Sequence, residues 1–254
     1  MGRIEAVIFD WAGTTVDYGC FAPVQAFVEV FREFGMEPTM EETRKPMGML
    51  KIDHIRTMLS MERIRKQFQT KYGRDFDEED VKKMYAIFEE KLFGILHQFT
   101  EVKPEVLETI QALREKGIKI GSTTGYTDAM MEIVTKGAEE NGYTPDCVVS
   151  PDAVGAGRPY PYMVYENMRR LQVMAADQVM KVGDTISDIK EGKNAGVFTV
   201  GVIEGSSEMG LSQEEFAALS QEEKQQKKAC VRQNFLNAGA DAVVDTMAGI
   251  LEFV

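Results

Sequence analysis

Short apolar runs bounded by turn residues recur at 4–9, 118–122, 147–149, 179–182 and 197–202, with amphipathic helical spacing between most of them. This alternation predicts βαβ units and hence an α/β fold built on a Rossmann-like parallel sheet. Between the first two runs lie roughly a hundred residues without a comparable strand, too long for a crossover and too patterned for a loop. An inserted α-helical domain over about 20–99 accounts for them, leaving 1–19 and 100–254 as the core. Within the insert, Pro23, Val24, Phe27, Val30, Phe31 and Phe34 keep the i, i+3, i+4 spacing of one buried helix face, and Val81, Met84, Tyr85, Phe88, Leu92 and Ile95 keep that of another. Pro104 opens a helix that runs to Lys116 and stops at Gly117, and Thr127 or Asp128 caps the next. The polar segment 211–238 reads as surface helix, with Leu211, Phe216, Leu219, Val231, Phe235 and Leu236 marking its buried side.

Composition narrows the class. With 29 basic against 41 acidic residues the net charge is −12, which opposes long-range attraction to nucleic acid and to anionic membranes. An anionic substrate therefore needs a local cluster of cations. The three cysteines are too few and too scattered for a disulfide framework or a CxxC metal site, and no run approaches the ~20 apolar residues of a membrane span. Together with an N-terminal apolar run too short for a signal peptide, this predicts a soluble cytoplasmic protein.

Chemistry concentrates at strand ends. The run Val7-Ile8-Phe9 stops at Asp10, and Ala12-Gly13-Thr14-Thr15 follows as a small turn. A carboxylate there sits in the ligand crevice of an open α/β sheet, where it can act as a nucleophile and hold a metal. The second strand leads into Thr123-Thr124-Gly125, whose hydroxyls and N–H groups suit a phosphoryl oxygen. Gly157-Arg158-Pro159 brings a permanent cation. Gly183-Asp184-Thr185-Ile186-Ser187-Asp188 places two more carboxylates beyond a strand, a hard oxygen set suited to Mg2+.

In this order the motifs resemble the haloacid dehalogenase superfamily, and the insertion falls where that family carries a helical cap. The resemblance implies that Asp10 forms an aspartyl-phosphate, that Thr124 or Thr123 binds the phosphoryl group and that Arg158 neutralises it. It also implies Mg2+ held by Asp10, the Ala12 carbonyl and Asp184, with Asp188 in support. One residue departs from the pattern: phosphatases and mutases of the superfamily have Asp where this chain has Ala12, so no acid stands ready to protonate a departing alkoxide.

The segment Arg44-Lys45-Pro46-Met47-Gly48-Met49-Leu50-Lys51-Ile52-Asp53-His54-Ile55-Arg56 explains that gap. If Lys51 faces Asp10 across the domain interface, its amine can condense with a substrate aldehyde, and the protonated imine takes up the electrons of a breaking phosphorus–carbon bond. No oxygen then needs a proton. These strings are similar to the phosphonatase branch of the superfamily, which implies hydrolysis of phosphonoacetaldehyde to acetaldehyde and phosphate through a Lys51 imine. Met47, His54, Cys20 and Tyr126 would line the pocket, with His54 and Met47 favouring proton movement around the imine. The same likeness implies a homodimer through the cap, with Phe21, Val24, Phe27 and Val28 as candidate contacts. An imine-forming amine must be partly neutral near pH 7, against an ordinary pKa of about 10.4, so desolvation and neighbouring positive charge have to supply about 4 kcal/mol. A phosphatase or dehalogenase of the same fold, and a silent binding protein, remain the two alternatives on sequence.

Overall fold

A computed structural model describes residues 3–254. Strand β1 (Ala6–Phe9) is followed by five helices, α1 (Phe21–Glu33), α2 (Met40–Arg44), α3 (Lys51–Ser60), α4 (Glu62–Tyr72) and α5 (Glu78–Ile95). Thereafter strand and helix alternate: α6 (Val106–Glu115), β2 (Lys119–Thr123), α7 (Asp128–Glu140), β3 (Cys147–Val149), α8 (Pro151–Val154), α9 (Tyr162–Leu171), β4 (Val179–Gly183), α10 (Ile186–Ala195), β5 (Phe198–Val202), α11 (Gln213–Ala218), α12 (Gln221–Asn237) and β6 (Ala242–Val244).

The six strands form one parallel sheet in the order β3-β2-β1-β4-β5-β6. Strands covered on both faces read as largely apolar runs, which is how the first five stood out, although β2 also carries Lys119, Ser122 and Thr123 and β4 carries Lys181. In β1 the pleat sends Ala6 and Ile8 to the side packed by Met163 and Val164 of α9, and Val7 and Phe9 to the side of Ile110 and Leu113 of α6. Phe9 lies in register with Ser122 on one flank and Val182 on the other. The chain winds from β1 to β3 in one direction and resumes at β4 on the opposite side. Such a switch point opens a crevice at the carboxyl ends of the strands, and Asp10 and Asp184 are the residues just beyond β1 and β4.

The helices between β1 and β2 pack an apolar interior that runs on without a break into the α6 side of the sheet. Val24, Phe27, Val30 and Phe31 of α1 meet Val81, Met84, Phe88 and Leu92 of α5, all buried. Phe27 stacks on Phe88 at 4.2 Å between centroids and on His54 at 3.8 Å. Val24 and Phe27 therefore belong to the interior of this chain, while Phe21 and Val28 are half-buried. Phe27→Ala is expected to destabilise the fold by about 3–5 kcal/mol, the cost of a large buried aromatic and the cavity it leaves. Urea unfolding that shows less than about 1 kcal/mol would contradict this packing.

The segment 211–238 is surface helix as read, in two helices, because Ser212 and Ser220 each begin a helix with a capping box closed by Glu215 and Glu223. Two features differ from the sequence reading. Leu236 is exposed, since Phe235 beside it takes the inward direction. The short edge strand β6 also went unread. Among the described residues no helix is long and apolar enough to cross a membrane.

Candidate active site

The turn after β1 aims its side chains into the crevice by folding back on one carbonyl: the N–H groups of Thr14, Thr15 and Val16 all donate to Trp11 O. Thr15 Oγ1 donates to Asp10 O, and Thr14 Oγ1 donates to Asp184 Oδ1 at 3.0 Å, tying the β1 turn to the β4 turn. Gly13 makes the approach possible. Its φ is +91°, and a Cβ there would lie 2.1 Å from Asp184 Oδ2, so only glycine fits.

Asp10, Asp184 and Asp188 converge, each offering an oxygen within 4.8 Å of the others, and all three are buried. Asp184 also accepts from the Ser207 N–H at 2.7 Å. Burial, then the charges of Asp10 and Asp188, push the Asp184 carboxyl well above the usual carboxylate range. For Asp188 burial acts in the same direction, but Arg158 and Lys181 outweigh it and hold the carboxyl below its ordinary value. Like charges crowded this closely away from water are costly, and a hard divalent cation among them offsets the repulsion. The donor set is all oxygen and fits such an ion.

Arg158 is the counter-charge on the other side. Its Nη2 donates to Asp10 Oδ1 at 2.6 Å and to Thr123 Oγ1 at 2.8 Å, and lies 3.1 Å from Asp188 Oδ1; its Nε donates to Glu191 Oε2 at 2.9 Å. Thr123 Oγ1 in turn donates a hydrogen bond to Glu191 Oε2 at 2.9 Å, so its hydroxyl is engaged inside the core. Thr124 faces the crevice instead.

The helical insert closes the crevice from above. Gly48, with φ +81°, lies so near the β4 turn that a Cβ would sit 2.3 Å from Thr185 Oγ1. Ser187 Oγ donates to Met47 O at 2.9 Å, and Arg158 Nη1 reaches Gly48 O at 3.4 Å. This places Lys51, the first residue of α3, over the sheet. Asp10, Ala12, Cys20, Gly48, Lys51, Thr124, Tyr126, Arg158 and Thr185 line one narrow cavity of about 20 Å3, room for about one water.

Lys51 is only 4% exposed, and its Nζ lies 4.8 Å from the Tyr126 ring centroid. Among the described residues it forms no ion pair. Burial, with help from Arg158, lowers its pKa against the opposing pull of Cys20, Asp10 and Asp184. The Cys20 thiol is pushed well up by burial and then by Asp17 and Asp184, and Tyr126 is raised by burial too, so both stay protonated.

Thr123, Met47 and His54 do not line the cavity. His54 donates its Nε2–H to Thr43 O at 2.8 Å, which leaves Nδ1 without a hydrogen; burial and then the Lys51 charge drive its pKa well below the usual value. It is a neutral ring behind Lys51, stacked on Phe27.

Four buried residues of this neighbourhood were not singled out from sequence. Lys181 sits in the middle of the apolar strand β4, and a lysine inside a strand buried on both faces was a readable signal. Glu191 follows Asp188 at helical spacing and so shares its face. Lys103, which donates to Gly13 O and to Glu204 O and is lowered to about 8 by burial, carried no sequence signal, nor did Ser207.

The model of the haloacid dehalogenase-like hydrolase family matches residues 4–196. The chain belongs to that family. Among curated relatives of this haloacid dehalogenase-like hydrolase, the phosphonoacetaldehyde hydrolase of Parabacteroides distasonis is 55% identical over 249 residues, 98% of this chain and 94% of the other. The bifunctional phosphonoacetaldehyde hydrolase/aminoethylphosphonate transaminase of Clostridioides difficile is 54% identical over 246 residues, 97% of this chain but 39% of that longer protein. The crystal structure of a phosphonoacetaldehyde hydrolase-like protein from Oleispira antarctica superposes with a TM-score of 0.96 at 40% identity, over 99% of this chain and 91% of that one.

Proposed function

We propose that this hydrolase cleaves the phosphorus–carbon bond of phosphonoacetaldehyde, giving acetaldehyde and phosphate. The observation that carries the reading is the shared cavity: a buried lysine and a strand-end aspartate line it together, with Ala12 where an acid for an oxygen leaving group would stand. The likeness to named phosphonoacetaldehyde hydrolases over nearly the whole chain supports the same substrate.

In the proposed sequence the Lys51 amine adds to the aldehyde and expels water, leaving a protonated imine. Desolvation in the cavity favours the neutral amine that this step needs. Asp10 then attacks phosphorus through Oδ2, the oxygen that takes no hydrogen bond among the described residues. The phosphorus–carbon pair flows into the imine to give an enamine, and Asp10 becomes an aspartyl-phosphate. Arg158 and the Thr124 turn stabilise the phosphoryl oxygens. Protonation of the enamine and hydrolysis of the imine release acetaldehyde, and water at the aspartyl-phosphate releases phosphate. Asp10, the Ala12 carbonyl and Asp184 would hold Mg2+, with Asp188 supporting the site; when bound, the ion supplies charge neutralisation among the carboxylates and the phosphoryl oxygens.

Residues 20–99 serve as a cap over a core of 1–19 and 100–254. Lys51 of the cap and Asp10 of the core line the same narrow cavity, so closure of the cap over a bound substrate would keep water out until the carbon fragment has formed. The test uses the full chain with Mg2+ and phosphonoacetaldehyde. Acetaldehyde and phosphate are expected in equal amounts, and borohydride added during turnover should inactivate the protein and leave an alkylated peptide containing Lys51. Removal of the metal by a chelator should abolish phosphate release, and added Mg2+ should restore it. Phosphate from ordinary esters but never from the phosphonate, with no adduct, would sink the substrate assignment; indifference to chelation would sink the metal.

A further inference from the structure

Glu191 has an odd position for a structural residue. It is wholly buried, it adds a third carboxylate to the Asp10 and Asp188 that already surround Arg158, and its Oε1 has no hydrogen-bond partner. A buried ion pair is a weak source of stability, and an orphaned carboxylate oxygen is a cost that an apolar side chain of the same volume avoids. Its Oε2, by contrast, is fully engaged. It accepts from Arg158 Nε at 2.9 Å and Thr123 Oγ1 at 2.9 Å, with Lys181 Nζ at 3.6 Å. Lys181 in turn holds Asp188 at 2.8 Å.

We propose that Glu191, backed by Lys181, is a positioning residue that fixes the rotation of the Arg158 guanidinium so that only Nη2 contacts the nucleophile. This deepens the proposed function and rests on it. A guanidinium beside a free carboxylate settles into a two-pronged clamp that occupies both oxygens. Here such a clamp would consume Asp10 Oδ2 and block attack. With Nε anchored on Glu191, Nη2 meets Oδ1 alone, and Nη1, whose one partner among the described residues is the distant Gly48 carbonyl, is left for a phosphoryl oxygen. Thr123 completes the brace, since its hydroxyl accepts from Nη2 and donates to the same Glu191 oxygen.

Glu191→Met removes the anchor while keeping the volume. Its kcat for phosphonoacetaldehyde is expected to fall about 100-fold, the usual effect of misplacing one donor to a developing charge. KM and the rate of borohydride trapping at Lys51 should stay within about threefold, because the variant keeps both the Lys51 amine and the Arg158 charge near it and changes only how the guanidinium is turned. Glu191→Gln, which retains an acceptor for Nε, should recover most of the loss. In an Arg158→Lys background, where no planar fork needs orienting, Glu191→Met should cost less than about threefold further. The proposal is overturned if Glu191→Met leaves kcat within threefold of the parent, if trapping falls in parallel with kcat, or if the losses simply multiply in the Arg158→Lys background. Should Glu191→Met not fold, Thr123→Val removes the other half of the brace, and unchanged kcat in that variant overturns the proposal equally. Wild-type protein that releases phosphate only from ordinary esters would refute the phosphonate reading instead, and the same variants would then be compared on the ester.

Discussion

Lys51→Arg is expected to fold, to keep its positive charge and to lose turnover by roughly four orders of magnitude, about 5.5 kcal/mol of barrier. The reason is chemical rather than steric. A guanidinium has no accessible neutral form near pH 7 and cannot condense with an aldehyde, whereas burial already draws the Lys51 amine toward its neutral state. Phosphate release measures the loss, borohydride trapping should yield no adduct, and circular dichroism checks the fold. The substitution leaves Asp10, Arg158 and the carboxylate cluster in place, so ordinary binding through phosphate contacts should survive. Retained turnover in this variant would mean that the carbonyl is not captured at this position, and the role of the amine would have to be abandoned.

Asp10→Ala should reduce phosphate release to background, a loss of roughly 10⁴-fold or more, while leaving imine trapping at Lys51 largely intact. Two half-reactions are separated by this variant because they belong to different parts of the chain: the amine comes from α3 in the helical insert and the carboxylate from the end of β1. There is also an electrostatic signature. Asp10 is the first charge, after burial, that raises the Asp184 carboxyl, so its removal should let Asp184 ionise more easily. Carboxyl titration followed by infrared difference or NMR should show that downward movement. Trapping that disappears together with phosphate release would instead make Asp10 a builder of the pocket rather than the attacking group.

Much of the fold was legible because parallel strands covered on both faces are mostly apolar, with the few polar exceptions such as Lys181 and Thr123 serving the site. The runs ending at Phe9 and Val182 could be read without coordinates, and so could the carboxylates that follow them. The helical insert was visible for a similar reason: α1 and α5 each bury one stripe, and Phe27 and Phe88 hold their places in the 3.6-residue period. Where the signal was short or ambiguous, the reading missed. β6 went unread although β3 at the other edge is equally short; of its three residues only Val244 is buried, against two in β3. The break between α11 and α12 is written as Ser-x-x-Glu at both 212 and 220, a detail the reading of 211–238 as surface helix left undivided.

By itself, the sequence determined the element types, the parallel α/β architecture and the residue kinds waiting at the strand ends, because periodicity and turn chemistry are local properties. Tertiary structure alone decided which of these groups share a space. Only packing brings Lys51 of α3 into one cavity with Asp10, turns Thr124 toward it while Thr123 is bound up with Glu191, and sets His54 behind it as a neutral ring. The direction in which a buried amine or carboxyl titrates depends on the charges and the desolvation that distant segments impose. Those are through-space quantities, and no spacing along a chain encodes them.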